Sequence, residues 1–486
     1  MLKRVTVERI TLISLFALIF AMAFRVMVDT DVWWHLRSGV TTLTQGFIER
    51  DTFSSTRYGE AWVNHSWGAQ VILYGVYRLL GESGLSLLTA IFATVGMMFV
   101  YRACVGTVYA RAFLVVMGAS AAAVFWSPRP QMFSFMLSAV YLYILYGYKR
   151  QQFNGLIALP VLMVAWVNLH AGYSIGFILI GAFIVAEALA WLFNRGGQEV
   201  LGWQGVRSLI VVACWMVLAT LLNPYTYRIL LIPFQTVGIQ TLHQFIQEWQ
   251  SPNFKQPEVL PFVALLLGSV VLLGSTTRRI RWVDGFLFLG TGYLALTAGR
   301  NIALFAVAVL PMLSEQVQAI LEQGGVRLLP KTRTNTVGGV VNLALLGAVL
   351  VGVALKCLYV IAPATVQPAQ ALYFPQRATA YVLEYPLTGT MFNSYNWGGY
   401  FTWFLPDHPV FVDGRTDLYG DELLGDYLTI YTLSDEAPAL LAQYQIDWVI
   451  VEAYSPIGQQ LSQQDGWRVH YQDEQAIVLA REAEAN

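Results

Sequence analysis

The sequence predicts a polytopic α-helical membrane protein of about eleven transmembrane helices, with two interfacial helices in its first external loop and a soluble α/β domain at its C-terminus. Three observations carry this reading. Of 486 residues, 56% are hydrophobic and only 12% charged, and the mean hydropathy is +0.53; the charged share is about half that of a soluble domain. Runs such as Leu85 to Tyr101 contain no charge and approach the ~20 residues that cross a ~30 Å hydrocarbon layer as helix. From about Gln370 the pattern changes abruptly to short alternating strands and helices. A transmembrane β-barrel is excluded, because its strands alternate rather than run apolar.

Taken in order, the first span is Ile10 to Val28, which follows Lys3, Arg4 and Arg9; no small-x-small cleavage site follows it, so it reads as a retained helix. Further spans are expected at Leu85 to Val105, Ala112 to Trp126, Met132 to Tyr148, Phe153 to Val167, Tyr173 to Phe193, Ser208 to Leu222, Val259 to Leu273, Phe286 to Ala298, Ile302 to Leu313 and Val337 to Ala362. This gives a transmembrane domain over 1–365, with an external loop at 29–84, and an external domain over 370–486. In the latter, strands are expected at Val410 to Asp413 and Trp448 to Val451, and a closing pair around Arg468 to Tyr471 and Ala476 to Ala480. Cys104, Cys214 and Cys357 lie in or at the ends of apolar runs, so no disulfide framework or Cys-based zinc site is available.

Trp67 to Leu80 is apolar enough to compete as a twelfth span, and charge decides against it. With it left out, fifteen Lys and Arg fall on the cytoplasmic side: the N-terminal three, Arg102, Arg111, Lys149, Arg150, Arg195, Arg207, Arg278, Arg279, Arg281, Arg327, Lys331 and Arg333. The short outside connections then hold only Arg129, Arg228, Lys255 and Arg300. Trp67, Val71, Ile72, Val76, Leu79 and Leu80 share one helical face, with Ser66, Gln70, Tyr77 and Arg78 mostly on the other, which suits a helix lying on the membrane surface. Trp33, Leu36, Val40 and Leu43 make a second such stripe. The expected location is a bacterial cytoplasmic membrane, with the N-terminus cytoplasmic and the C-terminal domain extracytoplasmic. That domain holds four Lys and Arg against sixteen Asp and Glu, which excludes nucleic acid and anionic lipid heads as its partners.

Polar groups gather at the external helix ends: Asp29, Asp31, His35, His65, Arg129, Asn168, His170, Asn223, Arg300 and Asn301. The cytoplasmic connections carry no Walker or Rossmann loop. Asp31 and His35 are four apart and share a face. With Asp29 they can bind a divalent ion, Mg or Mn, that neutralises a phosphate leaving group, or supply a base for an acceptor hydroxyl. Equally, Asp29 can pair with Arg25, and Asp31 can cap the interfacial helix. His65 can face the same pocket or anchor the interface. Arg129 and the Arg300-Asn301 pair can hold a lipid-linked phosphate or pair with acids and headgroups; His170 can hydrogen-bond a substrate or merely solvate a helix end. Asn393 to Tyr400 mixes aromatics, amides and glycines as sugar-binding surfaces do, and Asp413 and Arg415 end a strand in a polar turn. Core aromatics and a structural Asp-Arg pair read the same way.

These residues resemble a family. A first-helix exit with Asp29-x-Asp31, two interfacial helices, many short spans and an external domain is similar to the GT-C superfamily of polyprenyl-phosphate-dependent glycosyltransferases. Asp29-x-Asp31-x-Trp33-Trp34-His35-Leu36, Asp51-x-Phe53-Ser54-x-Thr56, Trp62-Val63-x-His65-x-Trp67, Arg129-Pro130-Gln131, Arg300-Asn301 and Val410-Phe411-Val412-Asp413-Gly414-Arg415 resemble, more narrowly, a group of bacterial membrane proteins with this architecture. The resemblance implies a polyprenyl-phosphate-linked sugar donor drawn from the membrane lipid, an extracytoplasmic glycan, lipid or protein acceptor, and a first-loop acid, at Asp29 or Asp31, acting as base or metal ligand. A Trp-Trp-Asp motif of the oligosaccharyltransferase type is missing from the C-terminal domain, so transfer to asparagine is not implied. The rival readings are a transporter or flippase of lipid-linked glycan, which the scarcity of mid-span charge beyond Glu187 and Lys356 disfavours, and a scaffold presenting the C-terminal domain.

Overall fold

The computed structural model describes residues 6–193, 200–326 and 336–482; Lys3, Arg4, Arg195, Arg327, Lys331 and Arg333 of the charge argument lie outside them. Helices occupy all eleven expected spans. Seven are long and apolar enough to cross a membrane by length and composition. Among the rest, Val7–Ala23, Ala158–Leu169 and Trp282–Thr297 are shorter, at 17, 12 and 16 residues. The mostly helical chain with a small C-terminal sheet domain is a membrane protein.

The chain folds as two compact units. The first comprises residues 1–25, 86–230 and 246–361. Its centre is the helix Ile302–Gln323, buried at every position from Leu304 to Gln316. This helix packs on Val108–Ala122 and Trp282–Thr297, and Gly118 admits the Leu310 side chain so closely that a methyl group there would displace it. By contrast Thr336–Ile361 packs on Val7–Ala23 and buries only Gly339, Asn342 and Val360.

The second unit comprises 26–85, 231–245 and 362–486. The loop 29–84, grouped above with the membrane helices, thus clusters with the C-terminal segment. A four-stranded sheet runs in the order β1 (Thr390–Asn393), β2 (Ile446–Glu452), β4 (Ala476–Arg481), β3 (Trp467–Gln472). β1 and β2 are parallel, and the β3–β4 hairpin is antiparallel, as is β2 with β4. The expected strand at Val410 to Asp413 is not part of it. Asn393 takes the place of a neighbouring strand: its Oδ1 accepts from Phe411 N at 2.7 Å and its Nδ2 donates to Val412 O at 2.9 Å, while Val410 bridges Ser54.

Both first-loop helices are present. Val32–Gln45 packs on Tyr395–Phe404 through Trp33, whose indole is ringed by Tyr77, Phe374, Tyr400, Trp403 and Phe404 at centroid distances of 4.8 to 6.3 Å. The second begins at Trp67 and is broken at Gly81, whose φ of 62° is one that only glycine adopts without strain. Leu79 and Leu80 of the apolar face are exposed, while Ser66 and Gln70 are buried, and Gln70 enters the hydrogen bonds described next.

Candidate functional site

Four features of the second unit hold Asp31. It stands at the N-cap position of Val32–Gln45 without capping the helix by its side chain. Asp29 Oδ1 accepts from Asp31 N at 3.0 Å, bending the chain so that the carboxylate turns aside. Trp34 Nε1 donates to Asp31 Oδ1 at 3.3 Å. Finally, Gly414 lies so close that a β-carbon there would strike Asp31 Oδ1 and come within 2.9 Å of Trp34 Nε1. Gly399 fits equally tightly, its absent β-carbon 2.7 Å from Thr30 O and 3.0 Å from Trp34 Cδ1. The Asp29-x-Asp31 motif and the Val410 to Arg415 motif therefore meet at one place, with a half-buried carboxylate between them.

His35 follows Asp31 on the same helix, Val32–Gln45. Its ring stacks on Trp34 with centroids 3.6 Å apart, is buried, and receives Gln70 Nε2 at Nδ1 at 3.3 Å. Gln70 Oε1 in turn accepts from Asn64 at 2.6 Å. Among the described residues no three His, Cys, Asp or Glu side chains are gathered so as to hold a metal ion. His65 is half-buried, its Nδ1 2.8 Å from Ser66 Oγ.

Asp413 and Arg415 were expected to bind substrate; both are fully buried and bind each other. Arg415 Nε donates to Asp413 Oδ1 at 2.8 Å and Nη2 lies 2.7 Å from Oδ2, a bidentate grip. The third nitrogen reaches Asp51, and Asp51 also accepts from Phe53 N at 3.1 Å and Ser54 N at 3.0 Å. Phe53 and Trp62 face the guanidinium, each 5.0 Å from its carbon. Burial alone would lower the Arg415 pKa, but Asp413, Tyr419 and Asp51 outweigh it and hold it well above its usual value. Trp397 and Tyr400 of the expected sugar platform are buried too, Trp397 donating to Tyr373 O at 3.0 Å.

In the first unit, Arg129 and Arg300 converge on Glu248. Arg129 Nη2 lies 2.7 Å from Glu248 Oε2, and Arg300 Nη1 lies 3.4 Å from Oε1. Arg300 also covers the Trp249 ring at 4.3 Å. Burial tends to raise the Glu248 pKa, but Arg129 and Arg300 outweigh it and hold the carboxyl at about 2. His170 is near enough to act on the same carboxylate. Its Nδ1 accepts from Gly172 N at 3.1 Å, so Ser134 Oγ, 2.8 Å away, donates to it and accepts from Trp166 Nε1 at 2.7 Å. Asn301 donates to Leu294 O at 3.1 Å, closing the end of Trp282–Thr297, a structural duty. Arg150, Arg278 and Arg281 surround Glu315 at 2.6 to 3.0 Å, beyond the other end of Gln131–Lys149, which is ~28 Å long by its 19 residues.

Sequence reasoning found both arginines but missed Glu248, whose signal was an acid beside a tryptophan in a connection whose other charged residues are Arg228, Lys255 and Glu258. It quoted Asp51 within a motif without giving it a partner.

No family model and no curated protein matches the chain, whereas solved structures do. The oligosaccharyltransferase of Archaeoglobus fulgidus in its apo form superposes with a TM-score of 0.52 at 12% identity, covering 98% of this chain and 74% of that one. The AglB oligosaccharyltransferase of the same organism, in complex with an inhibitory peptide and a dolichol-phosphate, gives 0.51 at 11% identity over the same shares. ArnT from Cupriavidus metallidurans, bound to undecaprenyl phosphate, gives 0.45 at 15% identity, covering 98% and 97%. The fold is GT-C-like, as the first-loop motif implied.

Proposed function

We propose that the chain is a glycosyltransferase that moves a sugar from a polyprenyl-phosphate-type carrier to an extracytoplasmic glycan, lipid or protein acceptor at the outer membrane face. The observation that carries this is the held carboxylate of Asp31: two motifs far apart in sequence, and two glycines with no room for a side chain, are spent on its position. A side chain fixed so tightly yet only half-buried is suited to receiving a proton. The GT-C-like fold supports the substrate class, since the AglB structure of that fold carries a dolichol-phosphate.

In this reading Asp31 is the base that takes the proton of the acceptor hydroxyl as it attacks the anomeric carbon. Asp29 fixes the turn that aims it, and Trp34 steadies the carboxylate. Within the first unit, Arg129 and Arg300, with His170 near the same Glu248 carboxylate, have the charge that suits a carrier phosphate.

The test is turnover of a panel of polyprenyl-phosphate sugars by the purified protein in liposomes. Sugar transfer that vanishes in Asp31→Ala supports the reading. Transfer that survives in Asp31→Ala combined with Asp29→Ala removes the residue assignment, and a folded protein inert to the whole panel removes the activity.

A further inference from the structure

We infer that Glu248 is a resident anion, its carboxylate holding, between Arg129 and Arg300, the place that a carrier's phosphate takes, so that binding exchanges one oxyanion for another. The inference rests on the glycosyltransferase reading above, and it adds a residue that sets affinity for the phosphorylated carrier.

The geometry is that of an oxyanion bridging two guanidinium groups: one Glu248 oxygen lies 2.7 Å from Arg129 and the other 3.4 Å from Arg300. A phosphate offers the same bridge with more oxygens and more charge. Both cations have a second anchor that does not depend on Glu248. Arg300 rests on the Trp249 ring at 4.3 Å, and Arg129 Nε donates to Ser127 Oγ at 3.2 Å. They would therefore keep their places when the carboxylate leaves.

Glu248 itself sits in the three-residue turn Gln247–Trp249, between extended residues Ile246 and Gln250. The far side of this turn is tied down, because Gly299 N donates to Gln250 O at 2.9 Å. A rotamer change at Glu248 thus frees the two arginines without undoing a helix. The carboxylate lies between two largely buried cations, 16% and 26% exposed, where an oxyanion of either kind is well placed. A neutral polyprenol cannot effect the exchange, so the device selects the phosphorylated carrier.

The experiment measures binding to the intact protein in nanodiscs of three probes: a polyprenyl phosphate, the polyprenol of the same length, and inorganic phosphate. Glu248→Gln, of equal size but uncharged, is expected to bind polyprenyl phosphate about tenfold tighter than the wild type, with polyprenol unchanged. Inorganic phosphate tightening in parallel supports the exchange and shows that the anion alone is read. Tightening for the lipid form only supports it with the chain as part of the ligand. Unchanged or weaker binding by a folded Glu248→Gln overturns it, provided Arg129→Ala with Arg300→Ala abolishes binding; Glu248 would then merely orient the arginines and the proposed function would stand. Carrier binding indifferent to the double arginine substitution removes the clamp itself. Should Glu248→Gln not fold, Glu248→Asp, which withdraws the charge by one methylene, is expected to tighten binding in the same direction.

Discussion

Arg415 and Asp51 stand 364 residues apart in the chain and meet as an ion pair with both side chains wholly buried. Asp413 completes the group, so one cation is shared by two carboxylates, each with further donors. Removing the cation leaves two buried negative charges facing each other, and Arg415→Met is expected to cost about 3–5 kcal/mol. Arg415→Lys should recover little, because an ammonium cannot grip Asp413 with two nitrogens while reaching Asp51. Thermal unfolding of the solubilised protein checks both.

Asp31→Asn keeps the shape of the side chain and its ability to accept from Trp34, and removes its basicity. If Asp31 is the base, kcat should fall about 10²- to 10⁴-fold while affinity for the lipid carrier stays at the wild-type value. A loss confined to affinity would assign Asp31 to binding instead.

Gly414→Ala drives a methyl group into Asp31 and against Trp34. The expected cost is about 1–3 kcal/mol of stability, together with a loss of turnover, since what must yield is the carboxylate. Gly425→Ala is the control: nothing lies within 4 Å of the added carbon, it falls inside the helix Thr416–Thr432, and turnover should be untouched.

Ser134→Ala removes one hydroxyl that serves both Trp166 and His170. The buried indole N–H loses its acceptor, at about 1–3 kcal/mol. Ser134→Thr, which restores a hydroxyl, should recover part of it in the same unfolding measurement.

Glu248 supplies a pH prediction. Its folded pKa, about 2, lies below its ordinary value of 4.5. A depressed carboxyl contributes stability that is present in full above the ordinary value and is lost as pH falls through the folded one. The stability difference between wild type and Glu248→Gln should therefore be flat from pH 8 to about pH 5, then shrink as the pH falls towards about 2. A difference that stayed constant between about pH 5 and about pH 2 would show that the two arginines do not hold Glu248 low.

The helices at the expected positions were legible because run length and period are local properties of the chain. The acid at the first-helix exit was legible because a carboxylate beside an apolar run is costly and stands out. The partners were not. Asp413 and Arg415 look like a solvated turn until Asp51 is brought to them, and Val410 to Asp413 looks like a strand because nothing in its own pattern says that the Asn393 side chain will satisfy its backbone. Glu248 lies 119 positions from Arg129, and an isolated acid in a loop has no periodicity to betray it.

The helix Thr336–Ile361, with three buried residues among 26, is ~39 Å long at 1.5 Å per residue, against a hydrocarbon layer of ~30 Å. Its environment is then mostly acyl chain, and the choice of detergent becomes a variable of the protein's own thermodynamics. Short-chain micelles would leave Leu355, Leu358 and Tyr359, all exposed, poorly covered, while longer chains or nanodiscs would act as a missing layer of core. Preparations that differ only in amphiphile would then differ in melting behaviour, with the transition of this helix the first to move.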